Sequence, residues 1–208
     1  FLGIEGHANF LLQKRISRRF EMRGAFFSRI GDTVQYGVWR LILVALGANL
    51  PGPAGSAAAT VRAAMRRLDA GPTRVAAASR VWESPPWPPS DQPWYANAVV
   101  RLETALDAVA LLAHLHALEQ EFGRVRGMRN AARTLDLDLV DYDGQRRMPP
   151  QPAPALPHPR MDARAFVLLP LAEIAPAWRH PQSGVGVAEL IAGLPADAIC
   201  RPLPEPSP

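Results

Sequence analysis

Residues 135–139 read Leu135-Asp136-Leu137-Asp138-Leu139, and this alternation limits the possible folds more than any other stretch. Successive side chains of a strand point to opposite faces, so the three leucines share one face and Asp136 and Asp138 the other. The leucine face must be covered by another layer, and the other face must hold two carboxylates about 7 Å apart. Such a pair on a rigid element suits a hard divalent cation whose remaining positions are filled by substrate phosphates. Arg124, Arg126, Arg129 and Arg133 lie just upstream, and guanidinium groups match phosphate oxygens well. Taken alone, the pattern fits a half-exposed strand with solvated acids better.

The flanking chain supplies partners for such a strand. Residues 41–46 read as a buried strand ending in the turn Gly47-Ala48-Asn49-Leu50-Pro51-Gly52. Ala57, Ala58, Val61, Ala64, Met65 and Leu68 recur at helical spacing, and Gly71-Pro72 stops that helix. Residues 74–82 read as a second strand. A loop rich in proline and tryptophan (84–89) leads to a third at 95–103. Thr104 with Asp107 resembles a capping box, opening a helix with the stripe Leu111, Leu115, Leu118 and Phe122 that stops at Gly123. After the acidic strand, Asp143-Gly144 turns into a short return strand. Residues 163–174 are helical in pattern but broken at Pro170, and residues 187–192 form a last short helix. The order β-α-β-β-α-β predicts an α+β protein with a ferredoxin-like core and an added C-terminal helical layer. The folded domain is expected over residues 39–195, with a frayed, proline-rich tail at 196–208.

Lys14 is the only lysine in 208 residues. A Walker A loop needs Gly-x-x-x-x-Gly-Lys, so phosphate chemistry in the body of this chain rests on arginine, metal and backbone. The formal net charge of +4 arises within residues 1–40, which hold seven basic and three acidic side chains; residues 41–208 hold sixteen of each. A neutral body argues against a nucleic-acid partner. The longest strongly apolar run, residues 41–46, is too short to span a membrane. The single cysteine, Cys200, excludes an intrachain disulfide or multi-cysteine metal site and fits a reducing, cytoplasmic setting. Residues 1–38 read as a poorly ordered basic extension, an artefact of where the reading frame was opened. An anchor to an anionic surface is the alternative.

Several side chains suit chemistry beside the aspartates. On the third strand, alternation places Tyr95, Asn97, Val99 and Arg101 on one face. A ring that stacks beside a carboxamide that donates and accepts suits a flat, nitrogen-rich heterocycle. His116 and Glu119 lie on the second helix, where Glu119 is either a ribose-binding carboxylate or a rim residue. The segment from Gly123 to Arg133, with Arg124 and Arg133 at its ends, forms a basic loop able to neutralise a polyphosphate. His158 stands between Pro157 and Pro159, a stiff setting for a side chain that hydrogen-bonds a phosphate. Arg164 and Phe166 add another cation and another ring.

Together these segments resemble the 6-hydroxymethyl-7,8-dihydropterin pyrophosphokinase family, from about residue 41 to residue 194. The resemblance rests on Leu46-Gly47-Ala48-Asn49-Leu50, Asp91-Gln92-Pro93-Trp94-Tyr95-Ala96-Asn97-Ala98 and Gly123-Arg124-Val125-Arg126. It continues through Arg133-Thr134-Leu135-Asp136-Leu137-Asp138, Pro157-His158 and Arg164-Ala165-Phe166. It implies transfer of diphosphate from ATP to the pterin hydroxymethyl oxygen with two Mg²⁺ ions, which Asp136 and Asp138 would hold. By the same resemblance Asn97 reads the pterin edge, Tyr95 and Phe166 sandwich the ring, and the backbone at Ser84 and Pro85 contacts it. Arg124, Arg133 and Arg164 neutralise the phosphates, His158 bonds one of them, and Glu119 and His116 lie at the nucleotide. Arg129-Asn130-Ala131-Ala132-Arg133 departs from the family's common Arg-Trp-Gly-Pro-Arg, a loop that closes over the site. A monofunctional, monomeric cytoplasmic enzyme is expected, without nucleic-acid or membrane partners. The rival readings are a metal-dependent nucleotidyltransferase or nuclease and a non-catalytic RNA-binding module.

Overall fold

The computed structural model describes residues 25–30, 33–38, 40–124, 132–148 and 153–205, in two compact units, Phe1–Arg40 and Leu41–Pro208. In the first, β1 (Ala25–Ile30) and β2 (Thr33–Val38) pair antiparallel, from Ala25 opposite Val38 to Ile30 opposite Thr33. The expected poorly ordered extension falls mostly on residues 1–24, outside the described residues; over 25–30 and 33–38 the backbone forms this hairpin.

The second unit mixes α-helices with an antiparallel sheet. Its strands are β3 (Ile42–Ala48), β4 (Thr73–Ala78), β5 (Trp82–Ser84), β6 (Tyr95–Thr104), β7 (Asp136–Tyr142) and β8 (Arg201–Pro202). Its helices are α1 (Ala57–Leu68), α2 (Ala108–Glu121), α3 (Ala165–Ile174) and α4 (Val187–Ala192). The sheet runs β7-β3-β6-β5-β8, and β4 also pairs with β6.

Alternation along each strand decides which layer a side chain joins. Val44 and Leu46 of β3, Ala98 and Val100 of β6 and Leu137 and Leu139 of β7 pack with Val61, Leu68, Leu111 and Leu115 of α1 and α2. The opposite face carries Leu43, Val99 and Val140, covered by Val167, Leu168 and Leu171 of α3 together with Trp178 and Val187. Each large aliphatic side chain so buried contributes about 1.5–3 kcal/mol. A one-residue slip of β7 would turn its leucines outward and both aspartates into the α1–α2 core, so the register is firmly set.

Local structure departs from the sequence pattern at several points, each for a physical reason. β3 continues through Gly47 to Ala48 instead of turning at Gly47, because both residues pair with β6 and Gly47 also pairs with β7. The strand expected over 74–82 divides into β4 and β5, both on β6; between them Ser79 Oγ accepts the Val99 amide at 3.0 Å. Asp107, not Thr104, caps α2, accepting from the amides of Val109 and Ala110. Thr104 is still in β6, and its hydroxyl donates to the Pro72 carbonyl. Pro170 lies inside α3 without ending it, since the packing of Leu168 and Leu171 holds the helix past the missing N–H. Asp143 and Gly144 turn at φ 54 and 67, and the return strand reduces to a bridge between Arg147 and Leu156. The tail expected to fray adds β8 to the sheet beside β5.

Candidate active site

The site is built on the α3 side of the sheet, at the end of β3 that presents only Ala45 and Gly47 there. Gly47 pairs with Asn97 on one neighbour and Asp136 on the other, and Ala45 pairs with Val99 and Asp138. A Cβ at Gly47 would stand 3.5 Å from Asn97 Oδ1. Small residues in the central strand therefore leave a floor between the carboxamide and the carboxylates. With strands about 4.8 Å apart, Asn97 and Asp136 stand roughly 10 Å apart across it. Above this floor lies a cavity of about 340 Å³.

One end of the cavity is aromatic. Asn97 is 4% exposed, and its Nδ2 donates to Ser84 Oγ at 3.0 Å, which fixes the carboxamide plane. The Tyr95 hydroxyl donates to Gln92 Oε1 at 3.4 Å, and partial burial pushes that hydroxyl's pKa up. Phe166 enters from α3, while Pro85 and Trp87 come from the loop after β5. The Arg164 guanidinium lies over both rings, 5.5 Å from the centre of Phe166 and 5.9 Å from that of Trp87. Its Nε is buried without a hydrogen-bond partner among the described residues, an unsatisfied donor of the kind an anion would complete.

The other end is charged. Asp136 pairs with Arg124 at 2.6 Å and Arg133 at 2.5 Å. Asp138 faces His158 Nε2 at 3.8 Å. Enclosure pushes the Asp138 carboxyl up; Asp136 adds to this, and His158, Arg164 and Arg133 oppose it. Burial pushes the His158 imidazole down against the pull of Asp138, with Arg164 and Arg160 reinforcing the fall. Arg124, Arg133, Arg160 and Arg164 line the cavity against Asp136 and Asp138. This excess of cations favours a polyanion.

The residues present fit a small, hard cation. Asp136 and Asp138 are two carboxylates crowded on one strand, a repulsion that a divalent ion would relieve. Among the described residues no group of three or more His, Cys, Asp or Glu side chains is placed to hold a metal.

Of the residues singled out from sequence, Ser84, Pro85, Tyr95, Asn97, Arg124, Arg133, Asp136, Asp138, Arg164 and Phe166 all line this cavity. His158 adjoins it through Asp138. Glu119 does not line it. It is 1% exposed, pairs with Arg124, and accepts the Leu137 amide at 2.8 Å. There it ties α2 to the acidic strand. His116 is half-buried on α2, also outside the lining. Arg126 and Arg129 lie outside the described residues. Sequence reasoning missed the floor at Ala45 and Gly47, and also Asn49, Trp87, Gln92 and Arg160. A small residue at alternate positions of a central strand was the signal for the floor.

A family model described as 7,8-dihydro-6-hydroxymethylpterin-pyrophosphokinase matches residues 43–176, which run from β3 through α3. A Pseudomonas aeruginosa protein named 2-amino-4-hydroxy-6-hydroxymethyldihydropteridine pyrophosphokinase is 42% identical over 160 residues, covering 77% of this chain and 95% of its own. A Haemophilus influenzae protein of the same name is 37% identical over 148 residues, covering 71% of this chain and 89% of its own. A Pneumocystis carinii folic acid synthesis protein is 33% identical over 147 residues, 71% of this chain but 19% of that longer one.

Proposed function

The chain belongs to the 7,8-dihydro-6-hydroxymethylpterin-pyrophosphokinase family, and from that premise we propose that it transfers diphosphate from ATP to 6-hydroxymethyl-7,8-dihydropterin in folate synthesis. The observation that carries this reading is the pairing of Gly47 with Asn97 on one side and Asp136 on the other. It puts a carboxamide and a carboxylate at opposite ends of one floor, which supports a reading in which the first takes the ring and the second takes the metal and phosphates.

In this reading the pterin lies between Tyr95 and Phe166, with its edge on Asn97 and its flank on the backbone of Ser84 and Pro85. Its hydroxymethyl oxygen attacks the β-phosphorus of ATP and gives up its proton to solvent, the bond from that phosphorus to the α-phosphate oxygen breaks, and AMP leaves with that oxygen. Two Mg²⁺ ions held by Asp136 and Asp138 would neutralise phosphate charge and lower the pKa of the attacking hydroxyl. Arg124 and Arg133 exchange their bonds to Asp136 for bonds to phosphate oxygens. Arg164 completes its unsatisfied Nε in the same way, and His158 donates to a further phosphate oxygen. Glu119 holds Arg124 and Leu137 in place from behind.

The strand order β7-β3-β6-β4 with α1 and α2 on one face supports a ferredoxin-like core, to which α3 and α4 add a C-terminal layer. We take residues 39–195 as the catalytic domain, 1–38 as an extension and 196–208 as a tail, in a cytoplasmic monomer without nucleic-acid or membrane partners. The equal numbers of acidic and basic side chains over 41–208 support the absence of a nucleic-acid partner. No helix among the described residues is long and apolar enough to cross a membrane.

Purified protein given ATP, Mg²⁺ and the pterin is expected to release one AMP per pterin consumed. Asp138→Asn is expected to lower that turnover about 100-fold or more. No AMP from the wild type overturns the reading, and near-normal turnover by Asp138→Asn overturns the metal assignment alone.

A further inference from the structure

Asn49, at the end of β3, is 2% exposed, and its side chain joins two parts of the site that share no strand. Its Nδ2 donates to Gln92 Oε1 at 2.9 Å and to the Pro93 carbonyl at 3.4 Å. Its Oδ1 accepts the Arg133 amide at 2.8 Å. The Arg133 carbonyl accepts in turn from the amides of Asn49 and Leu50, at 3.1 and 3.2 Å. Both backbone polar groups of Arg133 are therefore clasped by the end of β3, three residues ahead of Asp136. On the other side, Gln92 Oε1 also receives the Tyr95 hydroxyl, so the same carboxamide reaches the ring-stacking residue through one intermediary.

We propose that Asn49 is a positioning residue that couples the two ends of the cavity. Through Gln92 and Pro93 it sets the approach of Tyr95 to the pterin, and through the Arg133 backbone it sets the approach of that guanidinium to the phosphates. A shift at either end is transmitted because a buried carboxamide with donor and acceptor both engaged cannot move without breaking a bond. Filling the phosphate end therefore pre-orders the ring end, and by linkage the reverse holds as well. This inference rests on the pterin and ATP assignment above.

The test is calorimetric titration of the full chain with 6-hydroxymethyl-7,8-dihydropterin, with and without saturating α,β-methylene-ATP and Mg²⁺. The wild type is expected to bind the pterin about tenfold or more tightly when the nucleotide analogue is present, the equivalent of one buried hydrogen bond. In Asn49→Ala the ratio of the two affinities falls towards one. Asn49→Asp retains an acceptor for the Arg133 amide but offers no donor to the Pro93 carbonyl, and it too loses the enhancement while keeping the fold. A merely structural role would lower thermal stability and leave the ratio unchanged. Either variant retaining the wild-type ratio overturns the proposal, as does a wild-type ratio near one in protein that releases AMP. Wild-type protein that releases no AMP overturns the functional reading itself.

Discussion

Glu119 has a definite electrostatic consequence. Burial pushes its carboxyl up from an ordinary 4.5 to about 7, against the opposing pull of the Leu137 amide and Arg124. Between those two values the folded chain keeps a proton that the unfolded chain has released, so this group's contribution to stability falls as the pH rises through that window. Glu119→Gln removes the titration. The stability of the wild type relative to Glu119→Gln is expected to drop by about 1–3 kcal/mol between pH 5 and pH 8, measured by urea unfolding at each pH. A difference that stays flat with pH would show that Arg124 keeps the carboxylate charged throughout. The position of Glu119 beside the stripe of α2 was readable from its spacing after Leu111 and Leu115. Its partners were not, because Leu137 lies 18 residues away and approaches only when α2 docks on β7.

The elements divide by how local their causes are. The alternation in β6 and β7 and the stripe of α1 were plain in the sequence, because each follows from a period that burial enforces. The cap of α2 went to Asp107 because Thr104 is engaged by Pro72, 32 residues earlier in the chain. β8 could not be foreseen at all. A two-residue strand containing a proline has no period, and it exists because β5 offers an unpaired edge. That addition matters for the site, since β5 leads directly into the loop carrying Pro85 and Trp87. Leu203 donates to the Val81 carbonyl at 2.8 Å, and Arg201 meets Glu83 at 2.6 Å, largely exposed. The exposed ion pair contributes little, so the backbone pairing and the burial of Leu203 carry the effect. Deleting residues 199–208 is expected to lower Tm by about 4 °C or more. It should also raise the pterin KM roughly threefold to tenfold with the ATP KM unchanged, a loss of the size of one hydrogen bond. Steady-state kinetics and a thermal melt check both, and an unchanged pterin KM would separate β8 from the site.

Across the domain, the two faces of one sheet have different duties. The α1–α2 face is a closed core, while the α3 face is covered over part of its area and leaves the cavity over the rest. The cavity-lining side chains that were readable without the family resemblance alternate with core residues on β6 and β7 or stand in or beside basic segments. The rest belong to the tertiary fold: Gly47 and Ala45 are silent until their strand neighbours are known, and Asn49 has partners 43 and 84 residues away. The central claim is that this cavity delivers both terminal phosphates of ATP together to a pterin hydroxyl. ATP carrying ³²P at the β-phosphorus tests it most directly. The label is predicted to leave ATP in the pterin product, with AMP as the nucleotide released. Label recovered in ADP, or in free pyrophosphate beside an adenylylated pterin, would contradict the account.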